Sequence, residues 1–233
     1  MESRIENAFT SAHHALLFAW LSRAVFARVG EAQGKALMRR AVRRYGEERG
    51  RRMALRAKAD GEPLSMANFM AYGELPADPA AFESASEVDG DGIRKTICVC
   101  PWHTAWSEND LMMVGRLYCL EIDQALVRGF NPALRLDLDR TQPNDGVPCE
   151  FVFHDVSDPG PERGTVMPWT YHLGHLYWTM GRVIIEALGD EGEAAAREAL
   201  QRLGRRYGPA AVQVVLGYRD VDFRQPAAEN AGH

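Results

Sequence analysis

Two segments of the chain, Leu134-Arg-Leu-Asp-Leu-Asp-Arg140 and Cys149-Glu-Phe-Val-Phe-His-Asp155, alternate between apolar and polar residues. A period of two is typical of a β-strand with one buried face. A third segment, Lys95-Thr-Ile-Cys-Val-Cys100, is rich in β-branched residues and ends at Pro101. With a helix between the first two of these strands in chain order, the pattern predicts a small antiparallel sheet of about three or more strands, packed by helices.

Helical periodicity surrounds the predicted strands. The stretch Trp102–Val127 predicts one long helix that ends at Gly129. Upstream, Ile5–Ala59 places apolar residues at helical spacing, with a break between Gly30 and Gly34. This N-terminal segment is therefore expected to form two consecutive helices.

The C-terminal segment Trp169–Tyr218 repeats the layout of the N-terminal one. Residues 192–208 align with residues 34–50 through three glycines in each copy, and Gly189 takes the place of Gly30. We interpret the two segments as copies of one helix–turn–helix unit. A chance alignment of glycine-punctuated helices rich in alanine and arginine is the alternative.

These elements predict an α+β fold in a single domain that spans residues 1–233. Two helix–turn–helix pairs, residues 1–60 and 169–218, flank a central core of residues 74–158 that carries the candidate site. Residues 73–92 are rich in Pro, Ala, Asp and Ser. We expect this segment to link the first helical pair to the sheet or to fold over the site as a lid.

The composition excludes several classes of protein. Hydrophobic residues make up 46% of the chain and charged residues 25%, values of ordinary globular domains that exclude a disordered or coiled-coil protein. The formal net charge is -5. We therefore interpret the arginine-rich stretch 23–58 as a solvated helix face that pairs with the acidic middle of the chain, and expect no nucleic-acid partner.

The sequence lacks the signals of export and membrane insertion. Its start does not show the basic-then-apolar order of a secretory signal, and the apolar stretch Ala12–Val29 is too short and too polar to cross a bilayer. Four cysteines are too few for a disulfide scaffold. We expect a cytoplasmic protein with free thiols, no membrane partner and a small-molecule substrate. Apolar helical flanks without an obvious partner favour a homodimer.

The cysteines cluster in the middle of the chain, at Cys98, Cys100, Cys119 and Cys149. Cys100 precedes Pro101 at the start of the predicted long helix, where the helix dipole is expected to lower the pKa of a thiol. His103 could pair with that thiolate or accept a proton from a substrate. Asp123 shares a helix face with Cys119 in an apolar setting, where a carboxylate needs a partner or a raised pKa suited to acid–base catalysis.

The same cysteines also have a purely structural interpretation. A cysteine inside a strand is usually a small buried hydrophobe, and we expect this of Cys98. Packing is also favoured for Cys119, which has core-like neighbours. Cys100 and Cys149 lie at strand ends beside loops, so packing and chemistry fit them equally well.

The histidines His172 and His175 lie three residues apart on one predicted helix face. They could line a pocket or ligate a metal. We favour a role in capping the aromatic core residues around them. His13 and His14, near the start of the chain, are interpreted with the same caution.

Several short motifs occur in a fixed order along the chain. They are Tyr45-Gly46-x-x-Arg49-Gly50, Cys100-Pro-Trp, Tyr118-Cys119-x-x-x-Asp123, Gly129-Phe130-Asn131-Pro132, Cys149-x-Phe151 and His172-x-x-His175. Over residues 40–208 this order resembles the L-2-amino-thiazoline-4-carboxylate hydrolase family. The resemblance implies opening of a thiazoline ring at its amidine-like carbon, which yields an N-carbamoyl amino acid. The Cys-Pro start and the closing Cys-x-Phe are more distantly similar to 4-vinyl reductase-type ligand-binding domains, some of which hold zinc through cysteines.

Hydrolysis at such a carbon needs a nucleophile, a proton donor and charge stabilisation. We expect Cys149 or Cys100 to supply a thiolate nucleophile and His103 to act as general base or acid. Asp123 is expected to orient the cationic amidine or deliver the proton, and Asn131 to donate a hydrogen bond to developing negative charge. The other candidate substrate-binding residues are Trp106, Tyr118, Cys119, His172 and His175.

Three alternatives remain open at this point. In the first, a divalent metal, zinc or manganese, activates water and is bound by Cys100, His103, Asp123 and Cys149. Sulfur-rich ligands would then favour zinc. In the second, the chain is a non-catalytic domain that senses a small ligand or zinc. The third and weakest is a lyase that cleaves carbon–mercury bonds with Cys119 and Asp123.

Overall fold

The computed structural model of the chain describes residues 9–76, 82–146, 148–163 and 165–227. The helices are α1 (Ser11–Ala59), α2 (Met66–Ala71), α3 (Pro101–Ser107), α4 (Met112–Cys119), α5 (Ile122–Phe130), α6 (Gln142–Asp145), α7 (Trp169–Leu188), α8 (Asp190–Tyr207) and α9 (Pro209–Leu216). The strands are β1 (Glu83–Asp89), β2 (Gly92–Val99), β3 (Leu136–Arg140) and β4 (Cys149–Phe153). Helices and one antiparallel sheet confirm the α+β class. None of the helices in these ranges is both long enough and apolar enough to cross a membrane.

The four strands form one antiparallel sheet in the order β1–β2–β4–β3. Within it, Cys149 of β4 pairs with Ile97 of β2. On one face, Cys149 and Phe151 form an apolar cluster with Val127, so the sheet packs against α5. The alternating segment around Cys149 is therefore a strand with one well-buried face, as its period of two predicts.

The segment expected to be a linker or a lid is partly a strand. Residues 83–89 form β1, which pairs with β2 through the two-residue turn Gly90-Asp91. The linker prediction was therefore wrong for these residues. The strand was missed because every residue of β1 is exposed. A strand without a buried face has no alternation of apolar and polar residues to mark it. Residues 77–81 of the same segment lie outside the described residues.

The single long helix expected for Trp102–Val127 is in fact three helices, α3, α4 and α5. Between α3 and α4, Asp110 has a positive φ of 54°, a conformation that interrupts a helix. Between α4 and α5, Glu121 is buried and forms ion pairs with two arginines of α1. These features separate Cys119 from Asp123 by a helix boundary, although their spacing alone predicts one shared helix.

The alignment of the N-terminal and C-terminal segments pairs Gly30 with Gly189, and both glycines have a positive φ at a turn between two helices. Gly30 interrupts α1 with a φ of 75°, and Gly189 separates α7 from α8 with a φ of 56°. Glycine adopts this region without the strain that a side chain would add. The two units differ at their ends, because α1 continues to Ala59 whereas α8 ends at Tyr207, before Gly208.

A continuous apolar core joins α1 to α3, α4, α7 and α8. Trp106 of α3 lies fully buried in it and donates its indole N–H to the Ala15 carbonyl at 2.9 Å. Burial of such apolar surface is the dominant favourable term in folding. Here it holds the first arm of α1 (residues 11–29) against α3, the helix that begins at Cys100.

The second arm of α1 (residues 31–59) crosses α5 with the two backbones in contact. A Cβ atom on Gly50 would lie 2.0 Å from the carbonyl oxygen of Leu126. A Cβ atom on Gly129 would lie 2.3 Å from the carbonyl oxygen of Glu47. Because only glycine permits such an approach, these residues define how closely and where the two helices meet.

Gly50→Ala is expected to lower the free energy of unfolding by about 3 kcal/mol, because the added methyl group overlaps backbone atoms of α5. The matched control is Gly181→Ala in α7, where, apart from its chain neighbours and the adjacent backbone of its own helix, no atom of the described residues lies within 4 Å of an added Cβ. Alanine's better helix propensity should raise the free energy of unfolding there by about 0.5–1 kcal/mol. Urea unfolding followed by circular dichroism measures both. Equal effects of the two substitutions would contradict a close crossing at Gly50.

Candidate active site

Four of the predicted site residues converge where α3, α4, α5 and β4 meet. Cys100 precedes α3, Cys119 ends α4, Asp123 lies in the first turn of α5 and Cys149 starts β4. The charge of Asp123 contributes to the raised pKa of all three thiols, so these four groups lie within electrostatic reach of one another. The prediction that Cys98 is buried was wrong, because β2 extends past its last pair with β4 and leaves this residue exposed.

Burial governs the protonation of the three thiols. It raises the pKa of Cys100 to about 11, although backbone N–H groups at the start of α3 act in the opposite direction. The expectation of a lowered pKa at Cys100 is therefore wrong, because desolvation outweighs the helix N-terminus. Burial also raises the pKa of Cys119 and of Cys149, whose sulfur accepts a hydrogen bond from the Gln142 N–H at 3.2 Å. All three are protonated thiols near neutral pH.

Asp123 titrates close to neutral pH. Burial raises its pKa from 3.8 to about 6, and the cation of Arg49 limits the rise. Within the described ranges its carboxyl group has no side-chain hydrogen-bond partner. A carboxyl group in this state can accept and return a proton at physiological pH.

Asp123 interacts electrostatically with Tyr118 of α4 and Arg49 of α1, and Tyr45 of α1 neighbours both of these residues. Tyr118 is buried, and its pKa is raised well above 10. Desolvation is the main cause, the neighbouring Tyr45 is the second, and Asp123 and Cys119 contribute further. Arg49 is 4% exposed, and its guanidinium carbon lies 5.8 Å from the centroid of the Tyr45 ring. Tyr118, predicted as a substrate-binding residue, is thus coupled to the converging thiols and carboxyl group.

His14 connects this region to the start of α3. The indole N–H of Trp102 donates to His14 Nδ1 at 3.0 Å, which assigns the ring proton to Nε2. Nε2 then donates to the Tyr45 hydroxyl, also at 3.0 Å. Burial lowers the pKa of His14 well below 6.5, so the ring is neutral. This chain of hydrogen bonds fixes the position of Tyr45 relative to α3.

Next to Arg49 lies a buried ion cluster centred on Glu74. Arg52 binds the carboxylate with two hydrogen bonds, Nε to Oε1 at 3.0 Å and Nη2 to Oε2 at 2.7 Å, and Arg56 Nη1 donates to Oε1 at 2.6 Å. Burial alone would raise the pKa of Glu74, but the arginines, Arg52 above all, outweigh it and lower the pKa to about 2. Arg52 also donates to the carbonyl of Phe223, so the cluster ties the C-terminal segment to α1.

His172 and His175 lie in this ion cluster. His172 Nε2 donates to the backbone carbonyl of Glu74, and His175 Nε2 donates to the Glu48 carboxylate, both at 3.1 Å. The pKa of His172 is lowered to about 3 and that of His175 well below 6.5. Burial is the main cause for both, and the cation of a neighbouring arginine is the second. Both rings are neutral, and these bonds hold α7 against α1 and the segment that follows α2.

Of three further predicted site residues, two form hydrogen bonds outside the site and one has a side chain without a hydrogen bond to the described residues. Asn131 donates to the Leu64 carbonyl and accepts from the Ala133 N–H, so both ends of its amide hold the turn after α5. Trp106 lies in the core with its N–H bonded, as described above. The half-buried side chain of His103 makes no hydrogen bond with any described residue.

The candidate metal ligands do not form a ligand set. Within the described part of the chain, no three His, Cys, Asp or Glu side chains lie close enough together to hold a metal ion. Cysteine ligands must also be deprotonated, whereas burial raises the pKa of Cys100 and Cys149. The residues therefore do not fit a metal site, and we derive no metal-dependent step.

Sequence reasoning did not assign a function to Arg49 or Glu74. The available signal for Arg49 was the motif Tyr45-Gly46-x-x-Arg49-Gly50, since residues four apart share a helix face and the glycines mark a close contact. Glu74 has no comparable signal. Its partners Arg52 and Arg56 are 22 and 18 residues away in the chain, so only the fold brings them together.

Glu74→Gln is expected to lower the free energy of unfolding at pH 7 by about 3–5 kcal/mol, because buried guanidinium groups lose their carboxylate. Folding lowers the pKa of Glu74 from 4.5 to about 2. The charged form therefore stabilises the protein fully above about pH 4.5, and this contribution is lost as the pH falls toward about 2. Between these pH values the variant should lose less stability than the unmodified protein.

The matched control is Glu87→Gln, which removes an exposed carboxylate from β1 and should leave the unfolding curve unchanged. Urea unfolding at pH 7, 4.5 and 3 compares the two variants. Were Glu74→Gln as stable as the unmodified protein at pH 7, with the same loss in acid, the ion cluster would have no role in stability.

Comparison with known families places this geometry in context. The family model for L-2-amino-thiazoline-4-carboxylic acid hydrolase matches residues 10–153. No curated protein and no solved structure matches the chain significantly. The matched segment contains the converging thiols, Asp123 and Arg49, whereas His172 and His175 lie beyond it, and the family's name implies hydrolase activity. Since the match covers more than half of the chain, the chain belongs to the L-2-amino-thiazoline-4-carboxylic acid hydrolase family.

Proposed function

We propose that this protein hydrolyses a small cyclic amidine of the thiazoline-carboxylate type, at the ring carbon between nitrogen and sulfur. The observation that carries the proposal is the proximity of Asp123 to three thiols, the buried Cys149 and the half-buried Cys100 and Cys119, inside the segment that the family model matches. An acid–base group and a nucleophile in one site are what ring opening requires.

Ring opening adds one molecule of water to the substrate. The bond between the ring carbon and the ring sulfur breaks, and the sulfur leaves as a thiol. The carbon keeps both nitrogens and gains the oxygen of water, so the product is an N-carbamoyl amino acid. The reaction therefore needs a nucleophile, a base for the nucleophile's proton and an acid for the departing sulfur.

Cys149 is our preferred nucleophile. The Gln142 N–H, 3.2 Å from its sulfur, would stabilise a thiolate, and a cationic amidine bound nearby would lower the thiol pKa further. In this mechanism the sulfur of Cys149 bonds to the ring carbon, the ring carbon–sulfur bond breaks, and water then releases the cysteine. Cys100, whose pKa burial raises to about 11, is the second candidate.

Asp123 is the proposed proton carrier. It accepts the thiol proton and returns it to the departing ring sulfur, which a carboxyl group with a pKa of about 6 can do in both directions. Its charge also attracts the amidinium of the substrate. Tyr118 is proposed to contact the ring, and His103 is the candidate base for the water that completes the turnover.

Cys149→Ser is expected to reduce kcat by about 1,000-fold or more, because a hydroxyl is a far weaker nucleophile than a thiol activated by a nearby cation. The control is Cys98→Ser, which changes an exposed thiol outside the site and should keep full activity. The assay follows thiol release from L-2-amino-thiazoline-4-carboxylate with a thiol reagent. If Cys100→Ser lost activity while Cys149→Ser kept it, Cys100 and not Cys149 would be the nucleophile.

Two results would contradict the proposal at different levels. Full activity in both Cys149→Ser and Cys100→Ser would exclude both proposed nucleophiles while leaving ring hydrolysis in place. An unmodified protein that binds the ring compound and never opens it would exclude the hydrolase and favour a non-catalytic ligand-binding domain.

The rate should also depend on the protonation of Asp123. We expect kcat/KM to fall as the pH drops below about 6, because the protonated carboxyl group cannot accept the thiol proton. Asp123→Asn should lower kcat by about 100- to 10,000-fold and remove this acid limb. Rate profiles from pH 5 to 9 test both, with the exposed Asp220→Asn as the control. An acid limb that persists unchanged in Asp123→Asn would assign the titration to another group.

A further inference from the structure

Arg49 is a buried cation without a hydrogen-bonded counterion. It is 4% exposed and lies on the part of α1 that touches α5. Its Nε atom is buried and has no hydrogen-bond partner among the described residues. A buried charge is costly unless it is paired, so an arginine in this state is suited to an anionic ligand.

The nearest carboxylate, Glu74, is already bound by other arginines. Its Oε1 accepts hydrogen bonds from Arg52 and Arg56, and its Oε2 accepts one from Arg52. The Nε atom of Arg49 lies 3.7 Å from Oε2, beyond hydrogen-bond length. Three guanidinium groups thus share one carboxylate, and Arg49 is the one that forms no hydrogen bond to it.

The other nearby carboxylate, Asp123, is also not a direct partner of Arg49. The two residues influence each other's pKa, which shows that their charges are near. Yet among the ion pairs of the described residues there is none between them. The buried cation of Arg49 and the half-buried carboxyl group of Asp123 are therefore near each other without bonding to each other.

We propose that Arg49 binds the carboxylate of the substrate while Asp123 faces its amidinium, so that this site selects zwitterionic ring compounds. This inference rests on the proposed function and names the groups that choose its substrate. A ring with both charges satisfies Arg49 and Asp123 together, whereas a neutral ring leaves the arginine unpaired. The reacting carbon of the amidine then lies on the Asp123 side, next to the thiols.

The chemistry of arginine suits this role. Its planar guanidinium can bind a carboxylate with two parallel hydrogen bonds, which fixes the orientation of the ligand as well as its position. The Tyr45 ring packs beside the guanidinium of Arg49 and is itself held by His14. The side chain is therefore positioned before the ligand arrives, which favours affinity.

The first experiment uses the Cys149→Ser variant, because the unmodified protein is proposed to open the ring while its binding is being measured. Calorimetry measures the dissociation constants of L-2-amino-thiazoline-4-carboxylate and of its carboxamide, which has the same size and lacks the negative charge. We expect the carboxylate to bind about 10- to 150-fold more tightly, the effect of hydrogen bonds to a charged group. Equal affinities would overturn the inference without any change at Arg49, and so without any question of how an Arg49 variant folds.

In the same Cys149→Ser background, the second experiment compares Arg49→Met and Arg49→Lys with Arg51→Met, a control that removes an exposed arginine from the same helix. Arg49→Met should raise the dissociation constant of the carboxylate to that of the carboxamide and leave the carboxamide constant unchanged. Arg49→Lys should restore part of the difference, since it keeps the charge and loses the paired hydrogen bonds. Arg51→Met should bind both compounds as the Cys149→Ser protein with Arg51 does.

A purely structural role of Arg49 predicts a different pattern. Both compounds would then bind more weakly in Arg49→Met, by the same factor, and this result would overturn the inference. Because binding is measured apart from turnover, the two proposals fail separately. A carboxylate preference that depends on Arg49 without any ring opening would reject the hydrolase alone, and ring opening without such a preference would reject the role of Arg49 alone.

Discussion

The contact between the second arm of α1 and α5 determines the geometry around the site. Gly50 and Gly129 let the two helix backbones touch, and any side chain at either position would force them apart. Because the helices meet there, the face of α1 that carries Arg49 is held beside the first turn of α5, where Asp123 lies. The other side of α5 packs on the sheet and brings β4, with Cys149 at its start, to the same place. Two glycine contacts thus join the ionic part of the molecule to its thiols.

Desolvation sets the chemistry of the groups that this contact brings together. It raises the pKa of Cys100 to about 11 and that of Asp123 to about 6, and it lowers the pKa of His172 to about 3. The pKa of Glu74 moves against its burial, to about 2, because the surrounding arginines outweigh desolvation. The site therefore combines neutral thiols, a carboxyl group that titrates near neutral pH and a buried arginine, Arg49, that forms no hydrogen bond to a carboxylate of the described residues. A substrate that carries both a cation and a carboxylate complements such a site, since its carboxylate can pair with Arg49 and its cation with Asp123.

Local patterns predicted the elements that have one buried face. The strands around Leu136 and Cys149 show a period of two because one side of each meets α5 and the other does not. The same reasoning failed at β1, where every residue is exposed, and between Trp102 and Val127, where Asp110 and the ion pairs of Glu121 divide one periodic stretch into three helices. A hydrophobic period reports which side chains are buried. It does not report a turn that a distant arginine stabilises.

The sequence by itself determined the α+β class, three of the four strands of the sheet, the glycine turns of the helical pairs and the cysteine and aspartate residues worth testing. Each of these follows from neighbours in the chain, through side-chain period, backbone freedom or residue type. The protonation of those residues and the pairing of Arg49 and Glu74 were decided only by the tertiary structure. The helix dipole acts locally and predicted a lowered pKa at Cys100, whereas the pKa found there is raised. The reason is that burial depends on every element packed around a group, and its cost exceeds the effect of one helix end.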